Sequence, residues 1–377
     1  MDTLIVKFAA PCNLACSYCY EYNRGDETWK AKPKFLSLEN ASRIGLLIKE
    51  YAVPNRIPAF RIVAHGGEPL LMGAERLDAI FGALVDSAKP CPLKLSLQTN
   101  ATLISADLCE VFRRHCLTVG VSLDGGTDEH NRLRVTHAGK SSWDSALAGL
   151  DVLRKSAPEC YGGILCVINA GLNPREVIDG LMRFDPPTID LLQPFTSLDV
   201  AGANRHRIAV DFGRWMTEAL RHWLDNYGTR RTRIRYFEDA LKSCVTLKPT
   251  TDWFGARRVG YLVVETDGNF DLLDQLKAVG KESLTCRNLG RSIWDSSIGQ
   301  AVAQADLMIR ELSGDRLPDD CVGCRWEEVC GAGHLPSRYS EARGFNNKST
   351  YCEGIQMVLD QSREIVFKEL GKRGSAP

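Results

Sequence analysis

The sequence predicts an α/β fold, an open or partial (β/α)6 barrel, followed by a cysteine-rich C-terminal domain. Three observations lead there. Short apolar runs alternate with longer amphipathic stretches over the first 230 residues, the alternation stops near residue 232, and the last quarter concentrates cysteine and glycine. Repeated strand–helix units imply parallel strands with right-handed crossovers, and chemistry in such folds gathers at the carboxyl ends of the strands.

The apolar runs at residues 4–8, 60–64, 93–98, 118–122, 163–168 and 189–194 read as buried parallel strands. Between them, residues 38–51, 75–87, 105–114, 142–155 and 174–184 read as helices, with Ser37, Ser105 and Ser141 as N-caps. A longer helix at 210–227 closes this region. The division therefore falls into residues 1–232, a barrel, and 233–377, a smaller domain. In the latter, residues 260–265 and 270–273 flank the turn Asp267-Gly268-Asn269 and read as a β-hairpin. A last amphipathic helix is expected at 354–370.

Composition removes several function classes. Lys plus Arg equals Asp plus Glu at 47 each, which argues against a nucleic-acid or anionic-membrane binder. The densest basic patch, Arg230, Arg231, Arg233 and Arg235, reads as a solvated helix end or strand edge. The apolar stretch 4–10 is short, contains Lys7 and runs into the first cysteines, so it is no secretory signal. No apolar run approaches the roughly 18 residues of a membrane span. Fourteen cysteines without such a signal point to a reducing cytoplasm, where clustered thiols serve metals more often than disulfides.

Cys12, Cys16 and Cys19 are separated by three and two residues, directly after the first strand. Three thiolates at this spacing can wrap one cubane cluster, each holding one iron, and leave the fourth iron without a protein ligand. Structural zinc would need four closed ligands, and the next candidates, His65 and Cys91, are distant in sequence. An open iron suits S-adenosylmethionine (SAM), whose amino and carboxylate groups chelate it before an electron from the cluster breaks a carbon–sulfur bond.

The pattern Cys12-x3-Cys16-x2-Cys19, with Tyr18 before the third cysteine, resembles the cysteine signature of the radical SAM superfamily. The resemblance implies a SAM-binding [4Fe–4S] cluster on these thiols and Tyr18 near the adenine. His65-Gly66-Gly67-Glu68-Pro69 resembles the methionine-binding segment after the second strand. Gly66 and Gly67 would let the backbone approach the ligand, and Glu68 would accept from its ammonium. By the same resemblance Ser122 contacts the ribose and Arg134, or alternatively Arg132, reaches the SAM carboxylate. Asn100 and Asn169, at the ends of the third and fifth strands, would line the pocket, unless these polar groups merely cap strand ends.

Cys321-x2-Cys324-x5-Cys330, with Cys352 further on, supplies four more thiolates. Spacing alone is equally consistent with a zinc ribbon and a fully ligated iron–sulfur cluster. With the first cluster present, the arrangement resembles the SPASM extension of peptide-modifying radical SAM enzymes. All four cysteines match the ligands of its outer auxiliary [4Fe–4S] cluster. The chain departs from that pattern at His334, where the family has an x3-spaced cysteine, and in residues 268–274, which lack cysteine. The inner auxiliary cluster is therefore expected to be absent. Cys286 is read as a buried thiol and His334 as a hydrogen-bonded side chain. Asp274 then becomes a candidate general base, against the alternative of a solvated hairpin carboxylate. The other cysteines (Cys91, Cys109, Cys116, Cys160, Cys166, Cys244) lack metal spacing and read as buried small hydrophobes.

Residues 331–340, 344–347, 21–26 with Trp29, and 33–35 resemble the branch that matures ribosomal peptides by forming three-residue cyclophanes. The resemblance implies a ribosomally synthesised precursor peptide and an external donor of flavodoxin or ferredoxin type as partners. With the chain starting at its first strand, the peptide is expected to be caught at the barrel mouth, on the hairpin edge by strand addition, or by a separate protein. The alternatives are a sulfatase-maturing, formylglycine-forming enzyme and a non-catalytic, zinc-stabilised binding module.

Overall fold

The structure, a computed structural model, describes residues 1–228, 231–255, 260–314 and 316–374, with side chains for all of these except 281–283 and 371–374. The chain begins with β1 (Thr3–Ala9), α1 (Leu38–Ala52), β2 (Phe60–Gly66), α2 (Ala74–Ala88), β3 (Leu93–Thr99), α3 (Ala106–Arg114), β4 (Thr118–Ser122) and α4 (Trp143–Ser156). It continues with β5 (Tyr161–Val167), α5 (Pro174–Met182), β6 (Thr188–Leu192), a one-turn α6 (Leu198–Ala201), α7 (Arg205–Tyr227), β7 (Arg233–Ile234) and α8 (Arg235–Thr246). Then follow β8 (Tyr261–Val264), β9 (Asn269–Asp271), α9 (Ser283–Arg287), β10 (Asn288–Ser292), α10 (Ile298–Ser313), α11 (Glu327–Cys330) and α12 (Cys352–Gly374).

The mixed α/β class holds, and each expected strand and helix of the first 230 residues is present within a few residues of its expected ends. Local chemistry accounts for this. Ser37 Oγ accepts from Asn40 N, and Ala41, Ile44 and Ile48 recur at helical spacing on the buried face of α1. Ser105 caps α3 through Leu108 N. Ser141 sits one residue early: Ser142 holds the N-cap position of α4 without a side-chain cap bond, while Ser141 Oγ accepts from Trp143 N.

The chain forms two compact units, and neither ends at residue 232. The first comprises Met1–Leu123, Thr127–Ile164 and Gly260–Ile309; the second comprises Asp124–Gly126, Leu165–Val259 and Arg310–Pro377. The hairpin segment joins the first unit because β8 pairs in parallel with β1, Val6 opposite Val264. Within that unit the strands run in the order β10-β9-β8-β1-β2-β3-β4. Strands β1 to β4 pair in parallel, with Ile5 opposite Val63, Ile62 opposite Leu95 and Leu97 opposite Val119. The expected hairpin is β8–β9, but β10 lies antiparallel on β9 and covers it. Strand addition onto the hairpin is thereby corrected, since both its strands already have partners.

In the second unit β6 pairs in parallel with β7, and α12 packs on α7 and α8. Gly213 of α7 and Gly354 of α12 face each other so closely that a Cβ on Gly354 would lie 2.3 Å from Ala209 O. That crossing fixes the start of α12, whose first residue is Cys352. Of the arginine patch, Arg230 lies outside the described residues. Arg233 pairs with Glu238 and Arg235 with Asp190, so the patch spends charge locally, as expected of a solvated edge. Cys116 corrects its own expectation: it is exposed at a positive φ of 50°, and Cys244 is half-buried, whereas Cys91, Cys109, Cys160 and Cys166 are buried. No helix among the described residues is long and apolar enough to cross a membrane.

Candidate functional site

Strand β1 delivers the first three cysteines onto a loop fixed from two sides. Ala15 N and Ser17 N donate to Val135 O and Leu133 O, so the loop lies along the segment that carries Arg134. From the other side, Gly67 N donates to Ala9 O and Glu68 N to Pro11 O. The twin glycines belong to this second seam. A Cβ on Gly66 would stand 2.1 Å from Ala9 O, and one on Gly67 would stand 2.1 Å from Pro11 O. The space that a side chain would take at Gly66 and Gly67 is filled by the cysteine loop itself.

Glu68 ends this seam. It is buried, and its carboxylate accepts from Leu70 N at 3.0 Å, Thr99 Oγ1 at 2.7 Å and Asn100 N at 2.7 Å. Burial pushes its pKa up, against the pull of those donors. Through these bonds Glu68 holds the end of β3. The residue it positions, Asn100, places Nδ2 3.8 Å from Cys12 Sγ and 2.9 Å from Asn13 Oδ1. Leu14 N donates to the same sulfur at 3.4 Å. Arg134, buried, donates to Tyr18 Oη at 2.7 Å. Ser122 Oγ accepts from Gln98 Nε2 at 2.7 Å, a partner the sequence did not reveal. Asn169 lies in the second unit, where its Oδ1 accepts from Gly171 N in a local turn; that side chain caps its own loop.

The three thiols are chemically suited to a metal cluster. Burial, with a smaller contribution from the nearby Cys16 sulfur, pushes Cys12 and Cys19 up to about 12. Thiolates gathered in such a place need a cationic metal to exist, and three of them leave one vertex of a cubane open.

Beside this loop lies a buried charge network that sequence reasoning missed. Lys7 Nζ contacts Glu21, lies 2.5 Å from Asp274 Oδ2 and 3.5 Å from His65 Nδ1. Lys277 bridges Glu21, Glu265 and Asp274 at 2.6–3.1 Å. Arg287, fully buried, pairs with Asp26 and Asp271, and Lys32 with Glu265. Glu21, His65 and Asp274 cluster as metal ligands do, yet the Lys7 ammonium already fills the space among them. A legible signal existed: Lys7 is a cation inside an otherwise apolar strand run.

Asp274 is therefore neither solvated nor unpaired. Burial would raise its pKa, but Lys277 and Lys7 outweigh burial and hold it well below the usual carboxylate range. Tyr20 Oη donates to it at 3.0 Å. Glu21 moves the other way: burial and the Asp274 charge push it up to about 7 despite the two lysines. Five carboxylates thus meet four cations. His65 is driven down to about 4 by burial and then by Lys7, so it is neutral.

In the second unit, Cys321, Cys324, Cys330 and Cys352 line one cavity with Trp326 and Gln356. Gln356 Nε2 approaches Cys352 Sγ at 3.6 Å and Cys324 Sγ at 4.0 Å. Burial, helped by the three other thiols, pushes Cys330 up to about 12. Four sulfurs closing one space fit a fully ligated cluster, with no vertex left for substrate. His334, buried, packs on Phe195 at 5.2 Å and Trp253 at 5.9 Å. Its Nδ1 has no hydrogen-bond partner among the described residues, which corrects the hydrogen-bonded reading. Cys286 is buried, as expected.

Comparison with known proteins places this geometry in context. The model of the Radical SAM superfamily matches residues 6–180. The serine-type anaerobic sulfatase-maturating enzyme of Klebsiella aerogenes is 29% identical over 329 residues, 85% of this chain and 76% of that one. The cysteine-type enzyme of Clostridium novyi (strain NT) is 23% identical over 383 residues, 96% and 95% of the two chains. Among solved structures, anSMEcpe with bound AdoMet and the Cp18Cys peptide superimposes with a TM-score of 0.83 at 20% identity, covering 98% of this chain and 99% of that one. Streptococcus suis SuiB bound to its precursor peptide SuiA gives 0.59 at 14% identity, covering 93% and 76%. At these identities the solved structures speak for the fold.

Proposed function

We propose that this chain, which carries a radical SAM domain matched over residues 6–180, is a peptide maturase that joins a side-chain carbon of a ribosomal precursor peptide to an aromatic ring. The family's cofactors are a SAM-binding [4Fe–4S] cluster, S-adenosylmethionine and, in SPASM-type members, auxiliary [4Fe–4S] clusters. In this reading Cys12, Cys16 and Cys19 hold the first cluster and Cys321, Cys324, Cys330 and Cys352 a single auxiliary one. Residues 1–232 serve as the radical SAM core and 233–377 as the SPASM-like part. When bound, these groups supply the 5′-deoxyadenosyl radical and an electron acceptor.

The protein's own residues position and protect. Arg134 and Tyr18, joined by a hydrogen bond, would hold the SAM carboxylate and adenine, and Ser122, set by Gln98, would hold the ribose. Asn100 steadies Cys12, while Gly66, Gly67, Glu68 and Asn169 act through the loops they hold. A hydrogen atom leaves an unactivated β-carbon of the peptide, and the carbon radical bonds to a ring carbon within three residues. Loss of one electron and one proton then restores the aromatic ring. Asp274 takes that proton. Its low pKa makes it a weak base, but rearomatisation releases a strongly acidic proton, so what matters is that the carboxylate is ionised, as Lys7 and Lys277 ensure. Electrons arrive from a flavodoxin- or ferredoxin-type donor in the cytoplasm.

His334 is the observation that carries the cross-linking reading. Where the SPASM pattern has a cysteine, this chain builds an aromatic enclosure instead. A specific observation also favours a second reading, formylglycine formation: the curated relatives named above are sulfatase-maturating enzymes. Co-expression with a small peptide encoded beside the gene, followed by mass spectrometry, separates the two. Loss of two hydrogens with a covalently bridged fragment supports cross-linking; a lone formylglycine supports the alternative and removes it.

A further inference from the structure

A second polar group lies at the carboxyl end of β6. Gln193, the residue after that strand, is 2% exposed, and neither its Nε2 nor its Oε1 has a hydrogen-bond partner among the described residues. Buried amides are almost always paired, because an unmade hydrogen bond forfeits the water the group gave up. The segment is not loose: Tyr351 Oη donates to Pro194 O at 2.6 Å. Two residues on, Phe195 stacks on Trp253 at 6.5 Å and meets His334 at 5.2 Å, and Trp253 in turn meets Tyr236 at 6.3 Å. In this group His334 Nδ1 and Tyr236 Oη are also buried without a hydrogen-bond partner among the described residues.

Two side chains with unspent hydrogen-bonding capacity, His334 and Tyr236, thus belong to one aromatic wall, and a third, Gln193, lies two residues before its Phe195. We propose that Gln193, with Phe195, Trp253 and His334, forms a binding site for one aromatic residue of the peptide substrate. The ring packs against the wall and the residue's main-chain amide meets the Gln193 side chain. A glutamine amide offers one acceptor and one donor, the complement of a peptide N–H and C=O. Aromatic rings favour tilted and offset contacts with other rings, the geometry this wall already shows at 33–40° around His334. Burial pushes the His334 pKa down, against the pull of the Asp252 carboxylate. This inference rests on the peptide-maturase reading and adds which residue of the peptide is held and by what.

The test uses the cluster-loaded, SAM-bound full chain and calorimetric titration with N-acetyl-phenylalanine amide, N-acetyl-tryptophan amide and N-acetyl-alanine amide. The aromatic probes are expected to bind saturably, at least about tenfold more tightly than the alanine probe, and Gln193→Leu to weaken them by about tenfold or more. Equal binding of all three probes to the unmodified protein would overturn the site without recourse to a variant. So would unchanged aromatic binding in Gln193→Leu. The two readings fail separately. Ring-dependent binding lost in Gln193→Leu alongside a formylglycine product keeps the site and removes cross-linking. A cross-linked product without ring-dependent binding removes the site and keeps cross-linking.

Discussion

Asn100 Nδ2 lies 3.8 Å from Cys12 Sγ, so a side chain at the end of β3 reaches a cysteine at the end of β1. Glu68 makes this possible by accepting from Asn100 N, while Asn100 Oδ1 accepts from Thr102 N and Oγ1. Amide donors to a cluster sulfur stabilise its more reduced state.

Asn100→Ala should therefore make the SAM-binding cluster harder to reduce. One hydrogen bond of about 0.5–1.5 kcal/mol corresponds to a potential lower by roughly 20–60 mV for one electron. Redox titration followed by electron paramagnetic resonance reads the shift, and an unchanged potential would mean that the amide does not act on Cys12.

Gly67→Ala tests the seam beneath the cysteine loop. The new methyl carbon would meet Pro11 O at 2.1 Å and Tyr22 Oη at 2.2 Å, so the loop must move. The variant should incorporate less iron at the three-cysteine site after anaerobic reconstitution, while the four-cysteine site fills normally. Equal iron at both sites would show that the loop tolerates the displacement.

Asp274→Asn addresses the proton acceptor. The substitution keeps the shape, removes the charge that Lys7 and Lys277 neutralise, and leaves an amide that cannot take a proton. Peptide product should fall by about two orders of magnitude or more, the usual span for a lost general base, while 5′-deoxyadenosine continues to form. Undiminished cross-linking would remove Asp274 as the base.

His65 gives a pH dependence whose sign is fixed. Its folded pKa, about 4, lies below the ordinary 6.5, so the folded state binds fewer protons between those values. Its contribution is complete above pH 6.5 and is lost as pH falls towards 4. Glu21 opposes it, because its folded pKa of about 7 makes folding more favourable below that pH than above it. His65→Gln removes only the first contribution. Relative to the unmodified protein, the variant should gain up to about 1 kcal/mol in urea unfolding between pH 7.5 and pH 5.5. A difference that does not change with pH would mean that His65 is not held neutral.

The parallel strands and their helices were legible in the sequence because they are local: apolar runs, serine caps and helical spacing of Ala41, Ile44 and Ile48 need no distant partner. The cysteines were legible because short spacing confines their sulfurs to one loop. What escaped was set by long-range pairing. Nothing near residue 260 says that Val264 pairs with Val6, yet that register brings Asp274 and Lys277 to Lys7. Gly66 and Gly67 were recognised as a place of close approach, but the approaching group, the Ala9–Pro11 backbone, lies more than fifty residues earlier. Tyr236 and Gln193 carried no motif at all; only their burial without hydrogen-bond partners among the described residues marks them.

Adding SAM to the anaerobically reconstituted, reduced protein tests the central claim most directly. Three protein sulfurs at Cys12, Cys16 and Cys19 leave one iron for SAM, so its addition should change the paramagnetic resonance spectrum and release 5′-deoxyadenosine, and Cys16→Ala should abolish both. A spectrum indifferent to SAM, or a protein that takes up only zinc, would contradict the account.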